Sequence, residues 1–92
     1  MRPIPKTINI YGVKFKIKLT KMTEYSGLMD YKAKTIYISE VHNKTDKEKV
    51  ATLWHELFHA LHYRLGLDQA LSREMLEILA ESQATLIMEL IY

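Results

Sequence analysis

The sequence predicts an α+β fold, a small antiparallel sheet of three to four strands followed by two helices. Three observations predict it. The N-terminal third alternates apolar and polar residues with a period of two. A capping box then opens a stretch whose apolar residues recur at helical spacing. From Ser72 onward the helical spacing returns, with glutamates along one flank.

Residues 6–19 carry the alternation. Ile8, Ile10, Val13, Phe15, Ile17 and Leu19 are apolar, with Asn9, Lys14, Lys16 and Lys18 between them. This is the pattern of two half-buried strands, and Tyr11-Gly12 reads as the tight turn that joins them. The lysines form a solvated sheet face and discourage pairing at the edge. Residues 23–27 read as a loop. Residues 28–31 and 35–39 read as two short strands around the polar turn Lys32-Ala33-Lys34, with Ile36 and Ile38 on one face and Tyr37 on the other.

Residues 40–44 connect the sheet to the first helix. Thr45 is the expected N-cap, and Glu48 reaches back to complete the capping box. The helix is predicted over residues 46–65, with Gly66 as its stop. Its apolar positions are Val50, Leu53, Trp54, Leu57, Phe58, Leu61 and Leu65. A second helix, capped by Ser72, is predicted over residues 72–91.

At 92 residues the chain reads as one domain, 1–92, near the lower size limit for a self-sufficient core. A bound metal would therefore bear on stability as well as on chemistry. The 48% of hydrophobic residues excludes the disordered class. The net charge of +2 is spread along the chain, with no basic run interleaved with aromatics, so no nucleic-acid partner is expected. The absence of cysteine excludes disulfides, thiolate metal sites and a cysteine nucleophile, and is compatible with a cytoplasmic location. Met1-Arg2-Pro3-Ile4-Pro5 leads into no apolar segment, and no run of about 18 apolar residues exists, so neither a signal peptide nor a membrane span is expected.

The chemistry concentrates in His55-Glu56-Leu57-Phe58-His59. Residues four apart on a helix stand one turn above each other, so His55 and His59 present both imidazoles to one point. That geometry suits a tetrahedral Zn²⁺. Glu56 is rotated by about 100° from His55, which keeps it out of the ligand pair but within reach of a metal-bound water as general base. The bland alternative is an amphipathic helix that carries these residues by chance. The capped helix and its apolar flanks are the context that the metal-site reading requires. His62 is seven residues beyond His55, about 10 Å along the axis, too far to share the ion comfortably, and reads as cleft rim or surface. His42 precedes the helix and reads as a loop residue.

A catalytic zinc usually takes a third protein ligand and keeps one open position. The second helix offers Glu74, Glu77, Glu81 and Glu89. On a wheel of about 100° per residue, its apolar residues cover a continuous arc, and Glu77 sits at the edge of that arc beside Ala84. Glu81 lies about 40° further into the polar face and Glu74 about 60°. Glu77 fits best, since a ligand must lean on the first helix, and the small Ala80 and Ala84 permit close helix approach. Glu81 and Glu74 remain alternatives, and all four glutamates forming a solvated face is the ordinary fate of such residues.

The stretches "HELFHALHYRLGL" and "EILAESQATLI" resemble the small metallopeptidase-like proteins of the ImmA/IrrE type, often encoded by phages and mobile elements. The resemblance covers residues 7–91 and is most specific in the HExxH helix. The chain also resembles minimal single-domain gluzincins, in which a Glu-x-x-x-acid pair supplies a ligand and the group behind it; Glu77 and Glu81 have that spacing. The resemblance implies a zincin-like minimal metalloprotease fold, zinc, hydrolysis of peptide bonds and a strand lining the substrate cleft. It carries ligand roles to His55, His59 and Glu77 and the base role to Glu56.

The expected function is that of a zinc-dependent metallopeptidase acting on a peptide or protein substrate. Strand 35–39 is expected to align the substrate by β-augmentation, and Tyr63, Tyr31 or His62 to assist at the oxyanion. Two other readings follow from the same residues: a metal-stabilised binding or regulatory module with little or no turnover, or a metal-free structural domain.

Overall fold

The computed structural model describes residues 4–91; the reading of Met1-Arg2-Pro3 as lacking a leader, and the terminal Tyr92, fall outside them. The elements run β1 (Thr7–Ile10), β2 (Val13–Thr20), β3 (Gly27–Asp30), β4 (Thr35–Ser39), α1 (Asp46–Arg64), a 3₁₀ turn (Leu67–Gln69) and α2 (Arg73–Ile91). The α+β class and the order of sheet before helices are those predicted. Among the described residues no helix is long and apolar enough to cross a membrane.

The β1–β2 hairpin turns on Tyr11 and Gly12, whose φ values of 47° and 81° are both positive. This is the mirror-image turn that matches the twist of paired strands. Ile8 pairs with Phe15 and Ile10 with Val13, which puts the apolar set on one face. Lys14, Lys16 and Lys18 lie on the solvated face.

The sheet order is β1-β2-β4-β3. Its outer pairs are antiparallel, as expected, but β2 and β4 are parallel, with Ile17 beside Ile36 and Leu19 beside Ile38, so the sheet is mixed. The connection after β2 causes this. It carries the chain past the place of β4 to the far edge, where β3 forms, and β4 returns between them. A buried polar network fixes that crossing. Ser39 Oγ donates to the Met22 carbonyl at 2.6 Å, and Asn43 Nδ2 donates to the Ser26 and Ser39 carbonyls at 2.9 and 2.8 Å. The Thr52 hydroxyl donates to Asn43 Oδ1 at 2.7 Å, which ties the junction to α1. His42 is the loop residue expected, its Nε2 lying 2.7 Å from the Thr23 carbonyl.

The consequence for function is direct. Strand Thr35–Ser39 is an inner strand, bonded on both sides and unavailable for adding a peptide; the expectation that it aligns a substrate is corrected. The free edge nearest the helices belongs to β3.

The core lies between the sheet and α1: Phe15, Ile17, Ile36 and Ile38 from the strands against Leu53, Leu57 and Ala60. Each large side chain fully buried there contributes about 1.5–3 kcal/mol, so the sheet–α1 layer carries most of the hydrophobic stabilisation. Thr45 caps α1 with Glu48 in the predicted box, the two bonds being 3.1 and 2.9 Å, and Gly66 ends the helix at φ 75°. The bond from Thr45 holds the Glu48 carboxyl below its ordinary pKa. Ser72 Oγ accepts from the Met75 amide at 3.1 Å, as an N-cap should.

Among the described elements, α2 packs on α1 and the 3₁₀ turn but does not reach the sheet. Its buried residues are Ala80 and Ala84. The apolar arc predicted from its sequence is therefore wider than the surface α1 can cover, and the remainder faces outward.

Candidate metal centre

The middle of α1 turns one stripe toward the core and another toward α2. His55 and His59 lie on the second, one turn apart, with ring centroids 4.8 Å apart. Their Nε2 atoms face each other at 3.1 Å. Glu77 comes from the first half of α2. Its Oε1 lies 2.8 Å from His59 Nε2 and its Oε2 lies 3.5 Å from His55 Nε2. The donor atoms of these three residues all fall within 4.8 Å of one another, a group that could hold a metal ion. Two ring nitrogens pointed at each other repel unless a proton or a cation lies between them, and here a carboxylate closes the third side.

Glu81, one turn beyond Glu77, stands behind His55, its Oε2 3.0 Å from Nδ1. A carboxylate there makes Nδ1 the protonated nitrogen and leaves the Nε2 lone pair aimed at the other donors. The acidic pair spaced by four thus divides its roles. Glu77 meets the converging atoms and Glu81 orients one of them. Glu74 and Glu89 take no part in the group.

Glu56 is buried, with 8% of its surface exposed. Burial pushes its carboxyl up to about 7; Glu77 adds to the rise and His55 opposes it. His59 is shifted below its ordinary value, again first by burial, which favours the neutral ring that a metal needs. Glu56, His55, His59 and Glu77 line one cavity of about 900 Å³. Its far wall is β3 with Tyr25 and Ser26 before it, and one end is formed by Tyr63, Asp68, Leu71 and Arg73.

Gly27, which begins β3, makes this arrangement possible. A Cβ at that position would lie 2.6 Å from Thr52 Cγ2 and 3.1 Å from both Cγ and Oε2 of Glu56. The strand backbone can lie against the carboxylate only because the side chain is missing. From sequence alone Gly27 falls at the end of the loop predicted over residues 23–27. A lone glycine before a strand was the available signal, but not its partner.

His62 departs from expectation. It lies neither on the cleft rim nor on the surface; it is buried, 3% exposed, with Nε2 2.8 Å from Gln83 Oε1. The close approach of α2 through Ala80 and Ala84 covers it. Tyr63 lines the cavity and stacks on Tyr31, with centroids 5.0 Å apart at 20°. Of the three residues considered for help at an oxyanion, Tyr63 is the one in the cavity wall.

Compared with models of known families, with curated proteins and with solved structures, the chain matches none.

Proposed function

We propose that this protein is a zinc-dependent metallopeptidase of the minimal zincin type. The observation that carries the reading is the convergence of His55 Nε2, His59 Nε2 and the Glu77 carboxylate beside a buried Glu56. Donors about 2.1 Å from a tetrahedral zinc stand about 3.4 Å apart. The two ring nitrogens stand 3.1 Å apart, one Glu77 oxygen lies 2.8 Å from His59 and the other 3.5 Å from His55, all near that value, and with one atom from each residue the group lies within 4.8 Å. The donor set of two imidazoles and one carboxylate is that of catalytic zinc sites with one position left open.

A zinc ion held by His55, His59 and Glu77 would supply Lewis acidity to a peptide carbonyl and to a water beside it. Glu56, displaced to about 7 by burial, accepts a proton from the attacking water and returns it to the departing amine. The free edge of β3 binds the substrate backbone in extended form, which places a peptide across the cavity. The Tyr63 hydroxyl donates to the carbonyl oxygen as charge develops on it. A library of quenched peptides incubated with the zinc-loaded protein tests the reading. Cleavage is expected, and the Glu56→Gln variant should bind zinc and lose it; cleavage that survives this substitution overturns the role of Glu56.

A second reading is a metal-stabilised binding module with little turnover. The observation favouring it is that the Glu77 side chain is 56% exposed on a helix that, among the described elements, packs on α1 and the 3₁₀ turn alone. A cleft that open excludes water poorly. One zinc per chain, a melting temperature lowered by chelator and no cleavage of any peptide would select it over the first.

A further inference from the structure

Which glutamate faces the two imidazoles depends on how far α2 lies along α1, and the sequence of α2 offers two answers. Glu77-Ile78-Leu79-Ala80 is followed by Glu81-Ser82-Gln83-Ala84, so glutamate and alanine both recur after four residues. Moving α2 by that step, about 6 Å with a turn of about 40°, would put Glu81 where Glu77 stands and Ala84 where Ala80 stands. Helices are held in register by side chains of one that enter grooves of the other. The buried residues of α2 are Ala80 and Ala84, whose methyl groups give little such hold. Met88 would take the place of Ala84, beside a groove of about 580 Å³ that both residues line with Ala51. Unwinding residues 73–76 lengthens the connection after α1, so the chain path permits the step.

One residue breaks the repeat at an inward position. Gln83 stands where the preceding four residues have Leu79. Its Oε1 accepts from Nε2 of His62 at 2.8 Å. His62 is 3% exposed, and its Nδ1 is buried without a hydrogen-bond partner, so Gln83 supplies the one bond of this ring among the described residues. The step of four would bring Ile87 to the place of Gln83 and leave the imidazole with no partner at all. It would also bring Gln83 to the half-buried place of Leu79. Leaving a buried polar group unpaired disfavours such an arrangement about 10- to 100-fold. An aliphatic pair would avoid the orphaned Nδ1 but would not tell the two arrangements apart.

We infer that the His62–Gln83 pair sets the register of α2 on α1 and thereby presents Glu77, rather than Glu81, to the metal position. Both are positioning residues, since neither belongs to the group of converging donors. The inference rests on the reading of Glu77 as a ligand.

Zinc titration of the full chain against a chromophoric chelator tests it through a comparison of backgrounds. In the wild type, Glu77→Ala should weaken zinc binding more than about 100-fold. The background His62→Leu with Gln83→Leu removes both polar groups and makes leucine recur with glutamate and alanine. There Glu81 can step into place, and Glu77→Ala should cost less than about tenfold. Adding Glu81→Ala should then bring back the full loss. His62→Gln keeps a donor at the reach of Nε2 and should behave as the wild type does. If circular dichroism shows the double-leucine background unfolded, Gln83→Leu alone replaces it, because it leaves His62 unpaired in both registers. A Glu77→Ala loss equal in every background overturns the register role and leaves the ligand reading standing. No loss for Glu77→Ala in the wild type overturns the ligand reading, and this inference with it.

Discussion

His55 Nδ1 lies 3.0 Å from Glu81 Oε2, while the opposite nitrogen of the same ring lies 3.1 Å from His59 Nε2. One imidazole therefore joins the carboxylate behind the site to the donors in front of it. The ring is oriented before any ion arrives.

That relationship predicts separate penalties for the two glutamates of α2. Glu81→Gln should weaken zinc binding about 10- to 100-fold, the range for loss of a group that orients a ligand. Glu77→Ala, which removes one of the three converging donors, should weaken it more. Competitive titration against a chromophoric chelator measures both. Equal affinities for the Glu81→Gln variant and the wild type would show that Glu81 orients nothing.

Gly27 predicts a steric effect with a designed rescue. Gly27→Ala puts a methyl group 2.6 Å from Thr52 Cγ2, so β3 must shift from α1. The expected loss is about 1–3 kcal/mol by urea denaturation, the usual range for overpacking. Thr52→Ser deletes Cγ2 but keeps the hydroxyl bond to Asn43. It should recover a large part of the loss in the double variant, leaving the 3.1 Å approach to Glu56. Additive effects of the two substitutions would contradict the contact.

Glu56 predicts a pH dependence of the metal-free fold. Its pKa of about 7 when folded exceeds the ordinary 4.5, so between these values the folded chain holds the extra proton. Stability attributable to Glu56 is full below about 4.5 and falls as pH rises toward about 7, by roughly 3 kcal/mol in total. His59 works in the opposite sense. Its lowered pKa contributes stability above its ordinary 6.5 that is lost as pH falls. Comparison with Glu56→Gln at each pH separates the two. In chelator, the variant should gain on the wild type from pH 5 to about pH 7 and level off above it; a constant difference across that range would contradict the burial argument.

The β1–β2 turn predicts a stabilising substitution. Tyr11 sits at φ 47° with 66% of its surface exposed, so it bears left-handed strain without packing in return. Arg64 bonds only its carbonyl, at 3.2 Å. Tyr11→Asn should stabilise the protein by about 0.5–1 kcal/mol, read as a higher melting temperature.

Much of this was legible in the sequence because it depends on local rules. The Tyr11-Gly12 turn, the Thr45/Glu48 box, the Gly66 stop and the His55/His59 face each need only a few neighbouring residues. Glu77 came from wheel geometry together with the small Ala80 and Ala84. What stayed hidden depends on contacts between distant segments. The parallel β2–β4 pair follows from where Ser39 and Asn43 pin the loop after β2. The burial of His62 follows from how closely α2 approaches. The fit of Gly27 against Glu56 needs both the strand and the helix in place.

The central claim is that two imidazoles and the Glu77 carboxylate converge on one zinc ion. X-ray absorption at the zinc edge, on protein loaded with one equivalent at neutral pH, tests it most directly. The account predicts a four-coordinate ion with two imidazole nitrogens and oxygen donors at about 2.0–2.1 Å, altered by Glu77→Ala. A zinc bound through a single imidazole, or a spectrum unchanged in that variant, would contradict it.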